Sequence, residues 1–345
     1  MRTMIMGAGS LGIIFGAHLA QAGVDVTLAD VMQDNVDALN SKGARVTGSV
    51  EICVPVKACT PDKLEGIFDL VLLLTKQVNN AASFPVIMAH IHESSTVVAM
   101  QNGVPEVSVA ECFGAKRTLG CPVGFGATWI GPGVSESTST LERLKEHACE
   151  LGELDGRLTP RLYEVQSVLQ HVGTVHLLTN LFGARWSKLF INSTFSGLSA
   201  ALNCTYGEVL ENPEALYCAA QIGDELIKTA RALGVKIEPM QGSNIDDFEL
   251  IEPVDVPLKR KLFREVFGAH AKLKASMLQD MEKGRECEIL YINGFVSSNG
   301  RKTGIPTPYN DMVVTLVQEA QTAGKLPVFA ANLARFRVLG SKPFI

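Results

Sequence analysis

Near the start of the chain, Gly7-Ala8-Gly9-Ser10-Leu11-Gly12 sets a GxGxxG spacing between the apolar run Met4-Ile5-Met6 and an apolar, alanine-containing stretch from Ile13 onward. This spacing can bring backbone N–H groups up to an anion. Gly7 is predicted to make a tight strand-to-helix turn, Gly9 to let the backbone approach a pyrophosphate, and Gly12 to let the helix pack closely on a sheet. Ala8, Ser10 and Leu11 complete the loop, and the free N–H groups of the helix end would face the phosphates. The spacing alone also fits ordinary turns. Asp30 adds to it by closing the strand-like run Val24-Asp25-Val26-Thr27-Leu28-Ala29, about 20 residues past the loop as a dinucleotide fingerprint requires. A carboxylate there accepts hydrogen bonds from both ribose hydroxyls and repels a 2′-phosphate, and no Arg or Lys follows before Lys42. The reading is a dinucleotide site favouring NAD(H), beside a plainer one in which Asp30 caps the helix beginning near Gln33.

A second group lies far along the chain. Lys188, Asn192 and Ser196 are spaced i, i+4, i+8, which at helical pitch sets them on one face. Lys188 is the last charge before an uncharged stretch, 189–207. A lysine at such an edge can protonate a carbonyl oxygen while hydride arrives at carbon, and burial would lower its pKa toward the working range. Spacing alone favours a surface lysine laying its stem along an amphipathic helix. Two strand ends add candidates: Leu74-Thr75-Lys76 and Gln101-Asn102-Gly103 each follow a dense apolar run. Ligands of open α/β sheets bind outside the carboxyl ends of strands, so Thr75, Lys76 and Asn102 are expected beside Gly7–Gly12, although Asn-Gly is also a turn pair. Ser276 and Glu288, flanking Gly284-Arg285, read by themselves as a helix cap and a solvated charge.

These residues need scaffolds, and 345 residues with 46% hydrophobic and 19% charged content describe a globular chain too long for one core. Strand-like runs alternate with helical ones to about residue 178, and helical periodicity follows. We therefore expect an α/β Rossmann domain over 1–179 and an all-α helical domain over 180–345, sharing a cleft. A formal net charge of −5 without a Lys/Arg stripe argues against nucleic acid, and Lys259-Arg260-Lys261 with Arg264 reads as a solvated helix face. Eight cysteines without a CxxC pair and seven histidines without an HxxxH spacing indicate free thiols and no metal site. With no signal peptide ahead of the first strand, the expectation is a cytoplasmic protein. The stretch 189–207 carries Asn192, Ser193, Thr194, Ser196, Ser199 and Asn203 and reads as a buried helix, not a membrane span.

Taken in order, the Gly7–Gly12 loop, Leu74-Thr75-Lys76, Gln101-Asn102-Gly103, Gly131-Pro132-Gly133, Trp186-Ser187-Lys188-Leu189 with Asn192, and Ser276-Met277-Leu278-Gln279-Asp280 with Gly284-Arg285 and Glu288-Ile289 resemble the ketopantoate reductase family. The resemblance to these 2-dehydropantoate 2-reductases covers nearly the whole chain. It implies a Rossmann domain followed by a helical domain like the C-terminal one of 6-phosphogluconate dehydrogenase. It also implies reduction of a branched 2-oxo acid, most typically ketopantoate in pantothenate biosynthesis, to the (R)-2-hydroxy acid, with NADP(H) the usual cofactor. By the same resemblance Lys188 is the general acid, and Glu288 acts near Lys188 and the nicotinamide ribose. Asn102 contacts cofactor and substrate, Thr75 and Lys76 lie beside the cofactor, Asn192, Ser196 and Ser276 hydrogen-bond the substrate, and no metal takes part.

Two departures bear on the substrate. Where the family commonly carries a second asparagine four residues after the first, this chain has Ser196, which enlarges the pocket and removes an amide donor that would meet a substrate hydroxyl. Asp30 is the other departure. Together they point to a relative that uses NADH on a 2-oxo acid lacking pantoate's terminal hydroxyl, as in NAD-dependent D-2-hydroxyacid (D-mandelate-type) dehydrogenases. Ketopantoate stays first because most of the motif set is present, and Ser196→Asn is expected to improve its use. Other classes are a non-catalytic NAD(H)-binding redox sensor and a sugar-phosphate dehydrogenase, the latter with Lys272 or Lys274 and Arg285 as its phosphate site. The partner in every catalytic case is a small molecule, and the helical domain leaves room for a homodimer.

Overall fold

The computed structural model describes residues 1–240, 242–251 and 256–340. Strands alternate with helices as far as Leu178, and among the described residues none follows it. The chain divides between Leu181 and Phe182 into two compact units.

In the first unit the strands are β1 (Thr3–Met6), β2 (Val26–Ala29), β3 (Ala44–Gly48), β4 (Ile52–Val54), β5 (Lys57–Cys59), β6 (Phe68–Leu73), β7 (Ile91–Ala99), β8 (Thr118–Gly120), β9 (Ala127–Gly131), β10 (Val134–Ser137), β11 (Cys149–Glu153) and β12 (Val175–Leu178). Its helices are α1 (Ser10–Gln21), α2 (Gln33–Lys42), α3 (Asn80–Ala89), α4 (Glu106–Phe113), α5 (Leu141–Glu146) and α6 (Pro160–Leu169). Eight strands form one sheet in the order β12-β11-β8-β7-β6-β1-β2-β5, parallel except where β11 meets β8. The dense apolar runs become its centre because both faces are covered. Ile5, Leu28, Leu70, Leu72 and Val98 pack with Ile13, Ile14 and Phe15 of α1, while the alternating residues Met4, Met6, Val71, Leu73 and Val97 pack with Ile87, Val109 and Phe113. The segment after Cys121, read from sequence as the end of this sheet, divides. β9 and β10 leave it for a separate four-stranded sheet, β4-β3-β10-β9, because Gly133, at φ +74°, folds β10 back on β9 and its carbonyl accepts from Arg45 N.

The second unit holds α7 (Leu181–Ile191, whose first residue ends the first unit), α8 (Leu198–Leu202), α9 (Tyr206–Glu211), α10 (Pro213–Ala232), α11 (Val256–Phe267), α12 (Ser276–Glu282), α13 (Asn293–Thr303), α14 (Pro308–Ala323) and α15 (Phe329–Phe336). Its core is aromatic: Phe190 lies against Phe248 with ring centroids 5.1 Å apart, Phe248 against Phe263 at 4.7 Å, and Phe195 against Phe267 at 5.1 Å. Edge and tilted arrangements of this kind add to plain area burial. The buried helix expected over 189–207 ends earlier. Asn203 takes the left-handed conformation, φ +55°, and Thr205 starts a new helix with a capping box closed by Glu208, as asparagine and threonine are suited to do. No described helix is long and apolar enough to cross a membrane.

Candidate active site

Four neighbouring strands, β7-β6-β1-β2, end at the loops that carry the predicted cofactor residues of the first unit. The β1–β6 pair is the point where strand order reverses, where parallel sheets open a crevice. Gly7 has φ +102°, and a Cβ on it would stand 2.7 Å from Thr75 N, so only glycine lets the two loops touch. A Cβ on Gly12 would run into the Gly7 carbonyl oxygen. Gly9 differs: it is exposed, its φ is an ordinary −75°, and a Cβ there would meet nothing within 4 Å. Helix α1 has no side-chain cap and no acid in its first turn, which leaves N–H groups for an anion beside that open space. A dinucleotide pyrophosphate fits this cradle.

Asp30 stands at the end of β2 with Oδ1 accepting from Met32 N at 2.9 Å. That is a local turn immediately before α2, whose N-cap position is taken by Met32. Burial pushes the Asp30 carboxyl above its ordinary range, opposed by hydrogen bonds from Met32, Ala8 and Asn35. Beside it Val31 and Met32 are exposed. Asn35 was not read from sequence as a site residue. Buried at 1% exposure, its amide donates to Ala8 O at 2.9 Å and accepts from Gly133 N at 2.8 Å. It thus ties the glycine loop to the β9–β10 turn.

The other two loops are laced together. Gln101 Nε2 donates to Thr75 O at 2.9 Å and to Asn80 Oδ1 at 2.7 Å, and Gln77 Nε2 donates to Asn102 O at 2.6 Å. Thr75, Lys76 and Asn102 therefore sit on a braced rim, each half-buried. Gly103 has φ +78°, so the Asn-Gly pair is a turn as well as a strand end. Gln77 went unread because a polar residue after a strand carries no periodic signal.

In the second unit, every residue from Gly183 to Leu202 is buried except Lys188, Ile191 and Asn192. One open stripe thus runs along a helix enclosed elsewhere. The helix is not α-helical throughout, because Asn192–Gly197 forms a π-helical stretch between α7 and α8. At the junction Phe190 O accepts from Ser193 Oγ at 3.2 Å and Thr194 Oγ1 at 2.6 Å, hydroxyl bonds of a kind that disturb helices. An α-helix drifts about 40° for every four residues, and the wider π turn drifts the other way. Lys188, Asn192 and Ser196 thereby stay on one face over eight residues.

Ser196 ends that face. Its hydroxyl is 2.5 Å from Tyr206 Oη, both residues are buried, and the Tyr206 ring stacks on Phe195 at 5.2 Å. Burial pushes the Tyr206 hydroxyl above its ordinary pKa, slightly offset by Ser196. Tyr206 went unread in the sequence, since only the Asn203 break returns the chain to Ser196. Helices α9 and α12 both pack on the π-helical stretch. Ser276 is the first residue of α12 and is exposed, with Ala275 in the cap position, so it does not cap the helix. Glu288 is buried at 7% exposure at the head of the 3-10 turn preceding α13.

Lys274, read as a phosphate-site candidate, is paired with Glu282 at 2.7 Å. Among the described residues no group of three His, Cys, Asp or Glu could hold a metal, and the eight cysteines are free.

Two family profiles match the chain in sequence. "Ketopantoate reductase PanE/ApbA" covers residues 3–154 and "Ketopantoate reductase PanE/ApbA C terminal" covers 180–321. A 2-dehydropantoate 2-reductase of Streptococcus pyogenes is 26% identical over 320 residues, 92% of this chain and 97% of the relative. The crystal structure of 2-dehydropantoate 2-reductase from Geobacter metallireducens superposes with a TM-score of 0.77 at 27% identity, over 93% of this chain and 100% of that one. A likeness of fold alone extends to D-mandelate dehydrogenase in a ternary structure with NADH and anilino(oxo)acetate, at TM-score 0.78, 24% identity, and 94% and 99% coverage. With both profiles in order over an α/β unit and a helical unit, the chain belongs to the ketopantoate reductase family.

Proposed function

We propose that this protein is a nicotinamide-dependent oxidoreductase that reduces a small 2-oxo acid to its 2-hydroxy acid, with ketopantoate as the leading substrate and Lys188 as the general acid. The observation that carries the reading is the single open stripe of Lys188, Ile191 and Asn192 on an otherwise enclosed helix. Relatives named 2-dehydropantoate 2-reductase support the reaction class. A reduced nicotinamide bound through the Gly7–Gly12 loop supplies the hydride. Thr75, Lys76 and Asn102 hold that cofactor on the braced rim. Lys188 delivers a proton, and before it a positive charge, to the carbonyl oxygen as that oxygen becomes negative, and Glu288 orients the ammonium. Asn192 and Ser276 donate hydrogen bonds to the substrate, which fixes its approach.

Asp30 beside exposed Val31 and Met32 supports NADH over NADPH. A second reading, an NAD-dependent D-2-hydroxyacid dehydrogenase, is favoured by the Ser196–Tyr206 pair. It fills the end of the open face with an aromatic ring and engages the hydroxyl that would meet pantoate's own. The NADH in the D-mandelate dehydrogenase neighbour agrees with it.

Initial rates of NADH and NADPH oxidation with ketopantoate, 2-oxoisovalerate and phenylglyoxylate decide between the two. Fast turnover of ketopantoate upholds the leading reading, and preference for the simpler acids with NADH upholds the second. No turnover with any acid would move a non-catalytic NAD(H)-binding role to the front.

A further inference from the structure

The π-helical stretch Asn192–Gly197 is a rare conformation, and such segments persist only where their surroundings hold them. What surrounds this one is a run of buried polar side chains from three other helices. Asn293, the first residue of α13, is wholly buried, and its Nδ2 donates to Ser193 O at 3.2 Å inside the stretch. A Cβ on Gly197 would run into Asn293 Oδ1, so the amide lies flat on the backbone there. That oxygen accepts no conventional hydrogen bond and faces the Gly197 Cα–H, a weak donor.

Asn293 is itself steered. Its Nδ2 also donates to Asn310 Oδ1 at 2.9 Å, and Asn310 Nδ2 donates to Glu225 Oε2 at 2.7 Å. The Glu225 carboxylate accepts from the N–H groups of Tyr309 at 2.8 Å and Asn310 at 2.9 Å, the first turn of α14, where an anion is favoured. Asn310 is wholly buried and Glu225 is 5% exposed. A connected network at this depth holds its members in one arrangement, because each alternative leaves a buried polar group unpaired.

We propose that Asn293, oriented by Asn310 and Glu225, is a positioning residue that keeps the π-helical stretch in register and so holds Ser196 on the substrate-binding face of Lys188 and Asn192. This rests on the reductase reading of Lys188 and Asn192. An uninterrupted α-helix in this place would rotate Ser196 and the residues after it away from the Lys188 face. Asn293 opposes that change by filling the space over Gly197 and engaging the Ser193 carbonyl.

The test is Asn293→Ala in the full chain, read by backbone amide exchange at residues 193–198 and by steady-state kinetics with a 2-oxo acid. The expected result is exchange at least about tenfold faster in that segment, a KM for the acid raised about tenfold, and NADH affinity within about twofold of wild type. Unchanged exchange, or faster exchange with an unchanged KM, overturns the proposal, since a merely structural side chain lowers stability without moving KM in the folded fraction. Should Asn293→Ala fail to fold, Asn310→Ser keeps Asn293 and removes only its far partner, and the same readouts decide. A wild-type protein inert toward every 2-oxo acid sinks the reductase reading instead, and the exchange measurement still decides whether Asn293 holds the stretch.

Discussion

At the scale of single residues, the proposed function assigns chemistry to the lysine on the open stripe and specificity to the hydroxyl pair at its end. With Lys188 as the proposed proton donor to the developing alkoxide, Lys188→Ala should lower kcat by about 10²–10⁴-fold. NADH affinity should be unchanged, because the pyrophosphate cradle belongs to other residues. Near-normal turnover would remove Lys188 from the role of acid. Tyr206 makes a different prediction. Tyr206→Phe keeps the ring stacked on Phe195 but releases the Ser196 hydroxyl. The ratio of kcat/KM for ketopantoate over 2-oxoisovalerate should then rise about fivefold, the worth of one modest hydrogen bond. An unchanged ratio would place Ser196 outside the substrate pocket. Ser196→Asn, attractive from sequence alone, must first displace the tyrosine, and overpacking of that kind is costly. The i, i+4 spacing of Lys188 and Asn192 was legible because helical period is written into the sequence. The Tyr206 partner, ten residues beyond Ser196, was not, because its position depends on a left-handed turn at Asn203 that periodicity does not mark.

At the scale of elements, the strand–loop–helix at the N-terminus was readable because each glycine answers a separate steric demand. A Cβ on Gly7 would meet Thr75 and one on Gly12 would meet the Gly7 carbonyl, while one on Gly9 would meet nothing within 4 Å. Gly12→Ala should therefore push α1 off the loop and weaken NADH binding by at least about tenfold. Gly9→Ala should leave folding intact and weaken only the cofactor, whose place its methyl would take. Fluorescence titration with NADH alongside thermal melts of both variants separates these effects. Equal, small changes in both would refute the assignment of the two glycines. The π-helical stretch could not be read in the same way. A 3.6-residue pattern carries no mark for one wider turn, and the hydroxyls of Ser193 and Thr194 become meaningful only once Phe190 O is known to accept them. The departure of β9 and β10 into a second sheet was likewise hidden, because short strands look alike whichever sheet they join.

At the scale of the molecule, the buried carboxylate of Glu225 connects stability to pH. Burial pushes its pKa up to about 7, against the pull of hydrogen bonds from Tyr309 and Asn310. In the unfolded chain the group returns to the ordinary glutamate value near 4.5. Below that value both states hold the proton and the group costs nothing. As pH rises, the unfolded chain gives up its proton first, so stability falls until the folded pKa is reached and is flat above it. The loss across that window is about 3 kcal/mol, at 1.36 kcal/mol for each pKa unit. Asp69 and Glu249 act in the opposite sense at lower pH, held below their ordinary values mainly by hydrogen bonds from His92 and Arg231. Asp69 is half-exposed and Glu249 pairs with an exposed arginine, so the weight of both is small and the optimum is expected on the acid side of neutrality. Urea midpoints at pH 5, 6 and 7 measure this, with Trp129→Phe leaving the buried Trp186 as the sole tryptophan reporter. Glu225→Gln should lower stability at pH 5, since an amide cannot accept from both N–H groups of α14, and should flatten the fall toward pH 7. A wild-type midpoint that does not fall from pH 5 to 7 would mean that the three N–H donors on Glu225 outweigh its burial, leaving the carboxylate ionised throughout and the head of α14 held by a permanent charge.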